Sequence, residues 1–296
     1  MSLSHRATRP LDHLVLPVVD LATARLRLSA LGFSVAPEAR HPFGTENACV
    51  YFTDGTYLEP LGIADLQIYG NHIRDGLEFV ARDRAFRFRV GEDGLSAIVF
   101  KSEDASADHE AFAAEGIAAG GLFRFTRRFQ REDGSEAEAG FRLAFAADPR
   151  APDLFFFTCE RLLPLSPPEA LMAHQNGVTG IAEVLIGEDN PMEFEPLLQQ
   201  LGHCHETEIH PHGVTVEGIG ADISIFTHAH LSDRFGISPP DTGRGLVGRA
   251  IAFEAADIGN TADILAKNAV QHIAADGMIC VPPAPGQGVT FIFKEA

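Results

Sequence analysis

One unit recurs four times along the chain, and this repeat constrains the fold more than any single motif. In each copy a short apolar strand leads to a capped helix, a residue able to stop it, and then β-rich sequence. The cap and stop pairs are Asp20 with Gly32, Asp104 with Gly116, Asn190 with Gly202, and Asp257 with Asn268. Their separations are 12, 12, 12 and 11 residues. Asp and Asn side chains accept the free N–H groups of a first turn, and Gly or Asn tolerates the left-handed conformation of a helix stop. Leu21, Ala24, Leu28 and Leu31 follow helical spacing in the first copy; Phe194, Leu197, Leu198 and Leu201 do so in the third. The caps lie 84, 86 and 67 residues apart. Such unequal inserts fit paired modules rather than a solenoid.

The 296 residues have room for two domains. The Pro-bearing stretch 161–177, with Pro164, Pro167 and Pro168, marks the expected boundary. The domains expected are 1–163 and 174–296, and 238–245 reads as a second linker. Asp133-Gly134 is a hairpin-turn signal. With 41 acidic and 23 basic residues the formal charge is −18. That surface repels phosphate backbones and gives no support for an anionic membrane, so neither nucleic acid nor membrane is an expected partner. Cys49, Cys159, Cys204 and Cys280 form no CxxC, and the first ten residues lack a signal peptide's apolar core. A reducing cytoplasm is the expected compartment.

His13, His41, Gly44-Thr45, Asn47 and Tyr57-Leu58-Glu59 are the residues through which the chain resembles the glyoxalase-like branch of the vicinal-oxygen-chelate superfamily. The resemblance continues through Arg127-Arg128, the Phe-rich strand 154–157 and His174-Gln175-Asn176-Gly177. It implies an α+β fold of four βαβββ modules, pairing into two open curved-sheet half-barrels around clefts. Members of the superfamily include isomerases, lyases, ring-cleaving dioxygenases and metal-free proteins that sequester antibiotics, so the fold alone fixes no activity.

In metal-using members the ligands come from first and last strands of paired modules. Seven residues before each cap stand His13, Ala97, Glu183 and Ala250. The last-strand positions hold Glu59, Phe156 or Phe157, about Ser224, and Ile292. His13 and Glu59 therefore match the pattern, as ligands or as catalytic groups. Glu183 completes a His/Glu/Glu set only if modules one and three face each other. The ion implied is divalent (Zn, Ni, Mn or Fe); a metal-free hydrogen-bonded pair is the other reading. His41, Thr45 and Asn47 lie where the family's cleft-bordering loop runs and suit a polar substrate, although Thr and Asn also favour turns. Arg127 shares a strand face with Phe123, Phe125 and Phe129, and reads either as a carboxylate anchor or as a side chain with its head in water. His203, His205, His210 and His212 resemble a metal site but read better as an exposed hairpin; His228 and His230 carry the same caution. His174 and Asn176 read as braces of the domain junction. GRGLVG has no following helix and is no dinucleotide fingerprint.

Three functions stay open. The first is a metal-dependent lyase or isomerase acting on a small oxygen-rich substrate, preferred over a ring-cleaving dioxygenase relative. The second is a metal-free binding or sequestering protein. The third is a structural or dimerising role. The partner expected is a small molecule, with a homodimer left open.

Overall fold

The computed structural model describes residues 7–130, 136–163, 166–204, 206–240 and 243–296. Asp133-Gly134, Pro164 and His205 lie outside the described residues.

Module one runs β1 (Leu11–Pro17), α1 (Leu21–Ala30), β2 (Ala39–Arg40), β3 (Thr45–Asn47), β4 (Val50–Tyr51) and β5 (Tyr57–Ile63). Two inserted helices follow, α2 (Leu66–Arg74) and α3 (Glu78–Arg89). Module two is β6 (Ala97–Ser102), α4 (Ala105–Ala114), β7 (Phe123–Gln130), β8 (Glu136–Ala146) and β9 (Phe155–Leu163). A single turn, α5 (Glu169–Met172), precedes module three: β10 (Val178–Gly187), α6 (Glu195–Gly202), β11 (Thr207–His210), β12 (Gly213–Val216) and β13 (Asp222–Phe226). After α7 (His228–Phe235) comes module four, with β14 (Val247–Ala255), α8 (Ile258–Lys267), β15 (Ile273–Ala275), β16 (Met278–Val281) and β17 (Thr290–Glu295).

The expected helices form with local differences. Asp20, Asp104 and Asp257 accept backbone N–H groups as caps. Asn190 makes no side-chain cap bond, because Pro191–Glu193 forms a 3-10 turn first and α6 starts only at Glu195. The left-handed residues that stop α6 and α8 are His203 and Ala269, each one position after the expected stop.

Modules one and two share one mixed sheet, and modules three and four another. Within each module the first and last strands pair in parallel: β1 with β5, β6 with β9, β10 with β13, β14 with β17. The modules of a pair join through their first strands, antiparallel, β1 on β6 and β10 on β14. The result is the α+β arrangement of two curved half-barrels.

Alternation along the strands divides the core. Leu14, Leu16, Ile98, Val184, Ile186, Ile251 and Phe253 enter one large cluster with α1, α4, α6 and α8, so the two sheets share it. Val15 and Val99 face the other way, into a cluster with Phe43, Phe79 and Phe157. Leu185, Ala250 and Ile292 form a third cluster in the second sheet. The second cluster is closed by α2 and α3, through Tyr69, Phe79 and Val80. Arg87 of α3 bonds the carbonyls of Val18 and Leu61, which ties that helix to module one. Gly44 lets α2 sit this close. Its φ is +89°, and a Cβ there would lie 2.5 Å from the Tyr69 nitrogen. The residues His174 and Asn176 join the halves: His174 meets the Ser34 N–H and the Tyr51 carbonyl, and Asn176 donates to the Leu31 carbonyl. Among the described residues no helix is long and apolar enough to cross a membrane.

Candidate functional site

Register decides which side chains meet. Glu59 is the partner of Val15, and His13 lies two residues away, so all three face the cleft. The other modules repeat this geometry: Phe157 partners Val99 two residues after Ala97, Ser224 partners Leu185 two after Glu183, and Ile292 partners Ala252 two after Ala250. Only module one places an imidazole beside a carboxylate at these positions.

His13 is 3% exposed and Glu59 7%. His13 Nε2 lies 3.3 Å from Glu59 Oε2, and its Nδ1–H donates to Asp12 Oδ2 at 2.8 Å. The β1–β6 pairing shifts register between Leu11 and His13, and the bulge lets two successive residues serve one site. Asp12 also accepts from Arg161 Nη2 at 2.7 Å. The ring of His13 stacks on Tyr57, with centroids 4.4 Å apart. Burial pushes the His13 imidazole down, but its bonds to Asp12 and Glu59 and their charges outweigh this and raise its pKa. Burial pushes Glu59 up, and His13, His41 and Asn47 more than reverse it, to about 2. Below pH 6.5 the pair therefore rests as imidazolium and carboxylate.

His41, Thr45 and Asn47 complete a network around Glu59. Asn47 Nδ2 donates to Glu59 Oε1 at 2.6 Å and lies 3.3 Å from His41 Nε2. The His41 Nδ1 side meets Thr45 Oγ1 at 2.8 Å. One Asn amide can serve both acceptors if His41 is neutral with its proton on Nδ1. Burial first, with the nearby charges of Arg127 and His13, lowers His41 to about 4, against the pull of Glu59, and keeps it neutral. Arg127, on β7, donates from Nη1 to Asn47 Oδ1 at 3.3 Å and lies over the Phe141 ring. Its buried Nε has no hydrogen-bond partner among the described residues. Phe43, Phe79, Phe125 and Phe157 help enclose a cavity of about 40 Å³, room for a few waters.

Six of the seven expected site residues thus meet in one place, and Glu183 does not. It stands on the second sheet, bonded by Ser224 Oγ at 2.5 Å. Modules one and three do not pair, so the His/Glu/Glu set is not assembled. Among the described residues no three His, Cys, Asp or Glu side chains are placed to hold an ion. The donors left are already engaged. The Asn47 amide takes the Glu59 oxygen and the His41 lone pair, and the Arg127 cation abuts them. This donor set does not fit a divalent ion. Asp12 and Arg161 were not read as site residues from sequence. Asp12 sits beside His13 in the motif, but strict alternation turns it away, and only the bulge brings it back.

His203 ends α6, and His210 and His212 lie on the β11–β12 hairpin, whose Glu208 and Ile209 are exposed. His212 stacks with His230.

Solved structures similar to this chain cover nearly its whole length. A hypothetical protein from Staphylococcus aureus aligns with a TM-score of 0.65 at 12% identity, over 97% of this chain and 99% of that one. A mutant of 4-hydroxymandelate synthase from Streptomyces coelicolor aligns at 0.61 and 13% identity, over 97% and 92%. The Mn(II)-bound glyoxalase from Novosphingobium aromaticivorans aligns at 0.56 and 8% identity, over 97% and 82%. At these identities the likeness is one of fold. No curated protein matches the sequence. The glyoxalase-like domain family matches residues 11–202, and the chain belongs to that family within the vicinal-oxygen-chelate superfamily.

Proposed function

We propose that the cleft of the first sheet binds a small oxygen-rich molecule bearing one anionic group, and does so without a divalent ion. The observation that carries this reading is Arg127, a half-buried guanidinium whose buried Nε lacks a partner among the described residues. Leaving such a donor unmade is costly, and a carboxylate satisfies it with charge-assisted bonds. Charge points the same way. Asp12 and Glu59 balance His13 and Arg161, which leaves Arg127 as the surplus cation. A cavity of about 40 Å³ admits such a guest only if its walls shift. Phe125 belongs to β7, an edge strand of the sheet, so its wall is held by strand pairing on one side alone.

The test is calorimetric titration with pyruvate, a small 2-oxo acid, beside elemental analysis of untagged protein. Saturable binding, weakened about tenfold or more in Arg127→Met, supports the reading. Equal affinity in the variant, or one stoichiometric metal per chain, contradicts it.

A lyase or isomerase is the second reading, favoured by the buried His13–Glu59 contact. Glu59, with a pKa of about 2, is a weak base at neutral pH. In such a step Glu59 takes the proton lost beside a carbonyl while His13 gives its own to the oxygen that gains charge. Losing the His13 charge strengthens Glu59 as a base. Deuterium exchange into bound pyruvate, lost in His13→Gln, tests this step.

A further inference from the structure

A second cavity, of about 630 Å³, lies beside the start of β1 and the ends of β6 and β9. Its lining includes Asp12, Lys101, Asp108 and Arg161, and Cys159 is a wall of both this cavity and the smaller one. The volume falls in the range of small-molecule sites. We propose that it binds a polar monocarboxylate, held by Lys101 and Arg161.

The charges of the lining support this class of ligand. Most of the acidic groups are engaged. Asp108 accepts from Arg9 Nη2 at 2.5 Å and from Ser102 Oγ at 2.6 Å. Asp104 accepts the N–H groups of Ser106 and Ala107 as the cap of α4. Asp12 holds His13 and Arg161. Glu103 is exposed to solvent. Lys101 is half-buried, acts on Asp12 through its charge, and makes no ion pair among the described residues. With Arg9 paired to Asp108 and with Glu103 and Asp104 exposed at the rim, Lys101 and Arg161 against Asp12 leave one positive charge on the inner wall. One carboxylate matches that charge, whereas a phosphate dianion exceeds it beside Glu103 and Asp104. Thr8, Ser102 and the charged side chains of the lining can bond hydroxyl groups on the ligand's body.

The probes are gluconate, glucose and inorganic phosphate, titrated calorimetrically into the full chain. Gluconate is expected to bind saturably, more tightly than phosphate, with no saturable binding of glucose. Lys101→Gln weakens gluconate about tenfold or more, and Lys101→Arg restores it. Arg127→Met, which disables only the smaller cleft, leaves gluconate binding unchanged. The thermal midpoint of Lys101→Gln should equal that of the parent protein, which separates loss of the site from loss of fold. Absence of saturable gluconate binding overturns the proposal. So does glucose binding equally well, phosphate binding more tightly, or Lys101→Gln binding gluconate as the parent does.

Discussion

Both sheets carry a line of polar side chains across corresponding strands, yet they differ in charge. In the first the line is His41, Asn47, Glu59 and His13. In the second it is His210, Thr215, Ser224 and Glu183, linked at 3.0, 2.8 and 2.5 Å. The second line passes through hydroxyl groups, which can act as donor or acceptor, to a carboxylate that stays partly exposed. The first buries a carboxylate and an imidazolium and borrows cations from module two, Arg127 and Arg161. It is also closed by α2 and α3. A buried charge needs partners on every side, and only the first sheet supplies them. The same backbone therefore supports an enclosed ion-pair site in one half and a partly exposed hydroxyl relay in the other.

The largest effect should come from Glu59→Ala, which removes one of the two carboxylates holding the buried His13 cation and the acceptor of the Asn47 amide. A loss of about 3–5 kcal/mol is expected in urea unfolding. Glu183→Ala, at the matching first-strand site of the second sheet, should cost about 1 kcal/mol. Equal losses would break the comparison. Next comes the pH dependence. Glu59 has a folded pKa of about 2 against an ordinary 4.5, so its contribution is complete above 4.5 and lost as pH falls towards 2. His13 is raised, so its contribution is complete below 6.5 and lost as pH climbs through the folded value. Unfolding measured across the acid window should lose more stability in the parent than in Glu59→Gln; identical slopes would refute the ion pair. Gly44→Ala, strained at positive φ and crowding α2, should cost on the order of 2 kcal/mol and weaken pyruvate binding. The smallest effect is Ser224→Ala, about 1 kcal/mol, with pyruvate binding unchanged. A change in that affinity would show that the second line takes part in the site.

The repeat was legible because caps and strand patterns are local. Counting from each cap found His13, Ala97, Glu183 and Ala250, and register confirms that each shares a face with Glu59, Phe157, Ser224 and Ile292 respectively. The meeting of His13 with Glu59 followed from that count. Three features were not legible. The bulge that turns Asp12 inward has no residue signature. The helices α2 and α3 lie in an insert whose spacing gave no hint of their kind. Which modules pair is a tertiary choice, and it separates Glu183 from His13.

The most direct test of the central claim, that the first sheet alone holds the anion-binding cleft, is a pyruvate titration followed by NMR on protein with 15N-labelled histidines. The account predicts that the His13 and His41 signals shift together and saturate, while His210 does not move. Saturating shifts at His210 with His13 and His41 unchanged would contradict it.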